Sequence, residues 1–216
     1  MKERPILMNA AMVRAVLDGS KTQTRRVVKF KTHSSGAYYQ PIPVVKVDEV
    51  SYEMSCPHGN PGDRLWVRET FGYVSPDEHQ RPHSECKIEY RADLELGCTD
   101  RPGNWPVEEC VGDPERPRWR PSIHMPRAAS RILLEIVSVN FEQLQDISED
   151  DCWAEGIDAV DGLLDDMTIF EMAKRMDRCF EDAAPTFGAL WESINGAGSW
   201  AVNPLVWVIE FKRVAP

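Results

Sequence analysis

Two groups of basic residues have the types and spacing to hold phosphate. Arg25, Arg26, Lys29 and Lys31 form the first. Arg116, Arg118, Arg120, Arg127 and Arg131 form the second, with Trp119 and His124 among them. A guanidinium fork matches a phosphate, and an aromatic ring stacks on a base. With Arg68 from a strand-like stretch, Arg25, Arg26, Trp119, Arg120, His124 and Arg127 are the candidate residues for binding a substrate or nucleic acid. The competing reading pairs these arginines with acidic helices. Cys56 and His58 stand two apart, and His79, His83 and Cys86 stand four and three apart. Zinc accepts such ligands. They lie in proline-rich loop without a paired C-x-x-C knuckle, so no metal is expected. Asn195–Trp200 has the glycines of a turn but lacks the strand-before, helix-after context of a phosphate loop.

The whole chain opposes a uniformly basic coat. Its 216 residues carry 25 Lys+Arg and 35 Asp+Glu, a formal charge of −10. The charge is uneven. Residues 1–49 hold nine Lys/Arg against four Asp/Glu, a local +5, and residues 141–193 hold three against fifteen, a local −12. A basic cleft therefore remains possible within an acidic protein. Hydrophobic residues at 42% and charged residues at 28% fit a globular fold rather than disorder. No apolar run approaches the roughly 18 residues of a membrane span. Arg4 and Pro5 interrupt any signal-like start. The expectation is a cytoplasmic protein whose six cysteines form no disulfide framework. One domain spanning 1–216 is expected, with no membrane partner.

The elements that must position these residues follow from caps and periodicity. Pro5–Leu7 reads as a strand. Asn9 caps a helix whose apolar face is Met12, Val13, Val16 and Leu17, and Gly19 ends it. Ser20–Val28 reads as a turn leading into a strand. Arg64–Thr70 is a strand with Leu65, Val67 and Glu69 on one face and Trp66 and Arg68 on the other. Residues 73–121, rich in proline, glycine and charge, read as an insertion with at most a short strand near Lys87–Arg91. Ile132–Val139 is a strand. Ser148 caps a short helix that Gly156 ends, and Thr168 caps a longer one with an apolar stripe of Ile169, Ala173, Met176, Phe180 and Ala183. A last helix carries Phe187, Leu190, Trp191 and Ile194. Leu205–Phe211 is the closing strand. Trp66, Trp191, Trp200 and Trp207 read as core. Strands and helices without regular βαβ alternation indicate α+β.

Three of these pieces carry a resemblance. Leu17-Asp18-Gly19-Ser20-Lys21-Thr22-Gln23-Thr24-Arg25 resembles the L-x-G-x-K-T-x-T-x-R opening of ASCH domains, a branch of the PUA-like folds. Pro61-Gly62-Asp63-Arg64-Leu65-Trp66-Val67-Arg68-Glu69 looks like the family's G-D-x-L-x-V strand. Trp207-Val208-Ile209-Glu210-Phe211-Lys212 is similar to its closing strand. The longer form, with Asn203-Pro204-Leu205 ahead of that strand, looks like proteins encoded in bacteriophages and prophages. The resemblance covers about half the chain. It implies a small β-barrel with helices at its rim. One bacterial member type removes the acetyl group of N4-acetylcytidine with a Lys, a Thr and a Glu, without a cofactor. Those types fall on Lys21, Thr24 and Glu155. Other members are thought to bind or cleave RNA, so the resemblance leaves the reaction open.

Amide hydrolysis needs a nucleophile, a base and an acid. A threonine hydroxyl is weak unless a base is within hydrogen-bond reach. Lys21 serves as that base only as a neutral amine, which burial and the nearby Arg25 and Arg26 would favour. Glu155 would protonate the departing amine, with Trp153 as an apolar neighbour to raise its pKa. Backbone N–H groups at 19–22 would hold the oxyanion. Thr22 is the reserve nucleophile and Glu69 the reserve carboxylate. If Thr22 began the strand, Lys21 would face away from Thr24, so Lys21 must lie in the turn. The expected partner is a modified nucleoside, with RNA or DNA as the alternative. Oligomeric state is not fixed by the sequence.

Overall fold

Local capping sets most element boundaries. Asn9 accepts a hydrogen bond from the Met12 amide and starts helix α1 (Ala10–Asp18), and Gly19 closes it at φ 92°. The computed structural model describes residues 1–29, 31–32, 38–39, 56–76, 82–94, 101–103, 117–160 and 163–215. Around α1 stand strands β1 (Glu3–Leu7) and β2 (Gln23–Val27). Two short pairs follow, β3 (Lys31–Thr32) with β4 (Tyr38–Tyr39), and β6 (Phe71–Val74) with β7 (Lys87–Tyr90). The long strands are β5 (Arg64–Arg68), β8 (Leu133–Gln143) and β9 (Leu205–Val214). Between β8 and β9 lie helices α2 (Glu149–Ala154), α3 (Asp166–Met176) and α4 (Ala183–Asn195). The architecture is α+β, as its uneven element order requires.

Five strands form one mixed sheet in the order β1-β5-β8-β9-β2. Only β1 and β5 run parallel. Strand β9 shows how the layers are specified. Trp207, Ile209 and Phe211 pack with Val13 and Val16 of α1 and with Leu65, Val67, Leu134 and Ile136. Val206 and Val208 point the other way and pack with Phe187, Leu190 and Trp191 of α4 and Met172 of α3. Alternation along a strand thus feeds two cores, with α1 on one face and α3 and α4 on the other.

The expected barrel is not closed. β1 and β2 are the two edges of the sheet. They meet through a side chain instead of a ladder, since Arg26 Nη2 donates to the Leu7 carbonyl at 2.8 Å. Strand twist brings the edges within arginine reach but not within the roughly 4.8 Å that backbone pairing demands. His58 lies by this seam. Burial, with the cations Arg26, Arg4 and Lys29, holds its pKa down at about 4.

Three boundaries differ from the sequence reading. Asp165, not Thr168, caps α3; its carboxylate accepts from both the amide and the hydroxyl of Thr168. The apolar stripe stops at Met176, because Asp177 turns left-handed at φ 53°. Phe180 is exposed in the turn, and Ala183 opens α4. The chain also re-enters β structure at Phe71, where β6 pairs with β7. Phe71 and Arg120 exchange two backbone hydrogen bonds, of 3.2 and 2.7 Å, at the base of that segment. No helix among the described residues is long and apolar enough to cross a membrane.

His58 yields a sign for acid stability. Its folded pKa lies below the ordinary value of 6.5. Its contribution is therefore present above about pH 6.5 and is lost as pH falls towards 4, where the unfolded chain takes up a proton the fold refuses. Urea unfolding across that range should show a shallower acid decline in His58→Gln than in the parent protein.

Candidate functional site

The turn after α1 places Lys21. The amides of Gly19 and Lys21 both donate to the Ala15 carbonyl, at 3.1 and 2.9 Å. Lys21 therefore sits in the turn, ahead of β2, and its side chain escapes the strand's alternation. The end of α2 comes to meet it. Ser148 caps this helix through the Asp151 amide, and the Thr22 amide donates to the Ala154 carbonyl at 2.9 Å. Lys21 and Glu155 then form an isolated antiparallel bridge.

Gly156 permits the approach. Its φ is +78°, a left-handed conformation that glycine adopts without strain. A Cβ there would stand 2.7 Å from Ala15 Cβ and 2.8 Å from Lys21 Cβ. Both are inflexible positions, so a side chain would wedge the end of α2 away from the turn.

Lys21 is 2% exposed, and its Nζ donates to the Glu155 carbonyl and to Glu155 Oε2, each at 2.7 Å. Burial pushes the Lys21 pKa below the ordinary lysine value, and the Glu155 carboxylate draws it partly back. Arg25 meets the second oxygen, with Nη1 3.2 Å from Glu155 Oε1. Its remaining donors go to Glu142 Oε1, at 2.8 Å from Nε and 2.7 Å from Nη2, and to Asp151 Oδ2 at 3.2 Å. Gln23 fixes Asp151 through two bonds from Nε2, of 2.9 Å to the carbonyl and 2.8 Å to Oδ1. Each buried charge thus has an opposite partner and hydrogen bonds.

Beside this network lies a small cleft that encloses about 20 Å³, room for roughly one water molecule. Thr24, Arg25, Arg26 and Glu155 line its polar side, and Met12, Phe187, Leu190, Trp191 and Ile194 its apolar side. It follows the edge strand β2, between α1 and α4. Small-molecule sites commonly combine an apolar wall with a few convergent polar groups.

The structure thus brings Lys21, Glu155, Arg25, Arg26 and Thr24 together. Among the described residues, no hydrogen bond joins Thr24 Oγ1 to Lys21 or Glu155; both bonds of Lys21 Nζ go to Glu155. The amides of 19–22 cannot serve an oxyanion, since each already has an acceptor: Ala15, Asp18, Ala15 and Ala154 in turn. Positive charge in the cleft comes from Arg25 and Arg26 instead. Thr22 is exposed and does not line the cleft. Glu69 is buried elsewhere, in a two-pronged pair with Arg131 at 3.0 Å on each oxygen. Trp153 is exposed, so it supplies no apolar cover for Glu155. Cys152, next to the site, is fully buried, and burial pushes its thiol up to about 12, which removes it as a nucleophile.

The chain matches no protein-family model, no curated protein and no solved structure. Function therefore rests on the residues themselves.

The other candidate binding residues do not converge on the cleft. Arg68 bonds the carbonyls of Met125 and Ile123 and lies 5.3 Å from the Trp66 ring centre. Arg127 pairs with Glu3 at 2.9 Å. Arg120 lies 5.1 Å over Tyr73 and 2.9 Å from His83 Nε2, while Tyr73 and His83 stack at 4.0 Å. Trp119 is half-buried and His124 exposed. His79 and Arg116 lie outside the described residues. Among those described, no three His, Cys, Asp or Glu residues stand together as metal ligands. Sequence reading missed Glu142 and Asp151 as partners of Arg25. The only signal for them was the acidity of their segment.

Gly156→Ala should move the end of α2 off Lys21. The expected cost exceeds about 1 kcal/mol in urea unfolding, because the new side chain meets both strain and a clash. An equally stable variant would contradict the close approach.

Proposed function

We propose that this chain is an ASCH-type hydrolase that deacylates an N4-acylated cytidine or a related modified nucleoside in the cleft on β2. The supporting observation is the buried 2.7 Å contact between Lys21 Nζ and Glu155 Oε2, beside a cleft that Thr24 also lines. A buried lysine–glutamate pair can hold its proton on either partner. To work as a base and an acid in one contact, the pair must sit as the neutral amine with the carboxylic acid.

In this reading Thr24 Oγ1 attacks the acyl carbon and forms a C–O bond. Its proton passes to the neutral Lys21 amine. The C–N bond breaks, and the leaving N4 takes the proton of Glu155. Water then cleaves the threonine ester: its proton goes to Glu155, and Lys21 returns a proton to Thr24. Acetic acid leaves, and both side chains regain their starting forms. Arg26, which also lines the cleft, stabilises the oxyanion in place of backbone amides, because every side-chain nitrogen of Arg25 is already held by Glu142, Asp151 or Glu155. Because Glu155 lines the cleft and Lys21 Nζ lies behind it, proton traffic to Lys21 runs past Glu155 or through a bound water.

A non-catalytic nucleic-acid-binding role is the second reading. One observation favours it: the Tyr73–His83 stack carries an exposed Arg120. Phosphate-driven affinity falls steeply with salt, whereas turnover of an uncharged nucleoside does not.

The test is release of cytidine from N4-acetylcytidine, followed by chromatography. Thr24→Ala and Glu155→Gln should each lose at least about a hundredfold in turnover while keeping the parent circular dichroism spectrum. No turnover by the folded parent, with salt-sensitive binding of RNA or DNA, would overturn the hydrolase reading in favour of the second.

A further inference from the structure

Arg25 and Arg131 are each gripped by carboxylates: Arg25 by Glu142, Asp151 and Glu155, and Arg131 by Glu69 and Asp93. Arg26 is answered differently. It is half-buried, yet no carboxylate among the described residues pairs with it. One of its five N–H groups is bonded there, to the Leu7 carbonyl at 2.8 Å across the seam between β1 and β2. Glu155 acts on Arg26 only from a distance and already serves Lys21 and Arg25. Burial therefore holds the Arg26 guanidinium below its ordinary pKa.

Further cations gather at the same seam. His58 is half-buried, and the charges acting on it are those of Arg26, Arg4 and Lys29. The Cys56 sulfur accepts the amides of His58 and Gly59, which fixes this loop. A Cβ at Gly59 would stand 3.0 Å from Arg4 Nη1, so the loop lies directly against β1. Asp63 is already engaged, taking Arg4 at 2.9 Å and the Lys2 amide at 2.7 Å. Among the described residues, Arg26, Lys29 and the His58 ring are thus left without a carboxylate of their own. The seam opens to water. Leu7 is 45% exposed, Val27 37%, and Lys29 is exposed. The fully buried side-chain nitrogens that lack a partner are on Arg64 and Trp191, not on Arg26 or His58, so a ligand can reach the free N–H groups here.

We propose that the seam between β1 and β2 is a phosphate-binding site, in which Arg26 and a ring N–H of His58 hold the phosphate oxygens and Lys29 adds charge at the mouth. A guanidinium fork matches a phosphate, and the anion supplies the negative charge that these cations lack. Four N–H groups of Arg26 remain after Leu7, enough to serve both the seam and the cleft that Arg26 also lines. The proposal does not rest on the hydrolase reading and holds whether or not N4-acetylcytidine is turned over.

Nuclear magnetic resonance of protein labelled with ¹³C-histidine tests this directly. Inorganic phosphate is added at neutral pH and constant ionic strength, with chloride as the control, and His58→Gln identifies the signal. A saturable movement of the His58 ring signal with phosphate, absent with chloride, supports the site. Arg26→Gln should weaken that binding at least about tenfold, the worth of one charge-assisted hydrogen bond. If that variant does not fold, Arg26→Lys keeps the charge but loses the fork, and should still weaken binding severalfold. Cytidine 5′-monophosphate distinguishes the source: a tighter response than to phosphate assigns the site to a nucleotide, and an equal one to free phosphate. A His58 signal that ignores both ligands, follows chloride equally, or keeps the parent affinity in the folded Arg26 variant overturns the proposal.

Discussion

A lysine with almost none of its surface in water must either give up its proton or be matched by a negative group within contact distance. Burying an unpaired ammonium costs several kcal/mol even after relaxation. Lys21 is 2% exposed, and Glu155 answers it at 2.7 Å. Much of the surrounding structure follows from that one contact. Gly19 closes α1 so that Lys21 leaves the helix in a turn, Ser148 starts α2, and Gly156 lets that helix end against the turn. Gln23 and Arg25 on β2 then hold Asp151 and Glu142, so that the Arg25 charge is not matched by Glu155 alone.

The same contact makes the cleft chemically distinctive. Its apolar side comes from α1 and α4, which lie on opposite faces of the sheet, and its polar side from the edge strand between them. Thr24, Arg25 and Glu155 border the cleft at this edge while each keeps no more than 4% of its surface exposed. In the proposed reading, Glu155 with Lys21 behind it is the acid–base pair and Thr24 the hydroxyl, beside the charges of Arg25 and Arg26. The Tyr73–His83–Arg120 stack is built on Tyr73 of β6, away from the residues that line the cleft.

Short-range signals were legible in the sequence. The caps at Asn9 and Ser148, the stop at Gly19 and the alternation of Leu65 and Val67 with Trp66 depend on neighbours within a few residues. The placement of Lys21 in a turn followed from the need to escape alternation. Long-range facts were not legible. Arg25 meets Glu142, Asp151 and Glu155 across more than a hundred positions of sequence, and nothing in one chain's pattern ranks those partners among the other acids of the 141–193 segment. Barrel closure failed for a related reason. Whether two edges pair depends on accumulated twist, which residue types do not encode position by position. Thr168 resembled a cap, with Glu171 three residues on, but Asp165 already accepts from the Thr168 amide, so the helix has begun before Thr168 is reached.

The proton on Lys21 decides whether this pair can work as base and acid. Its side-chain nitrogen has a chemical shift that separates amine from ammonium, so a ¹⁵N-lysine titration of the parent, with Lys21→Met to identify the signal, measures it directly. The account predicts a neutral amine at neutral pH, with a titration well below the ordinary lysine value of about 10.4. An ammonium that persists up to that value would mean that Lys21 and Glu155 are a structural ion pair, and would contradict the proposed chemistry.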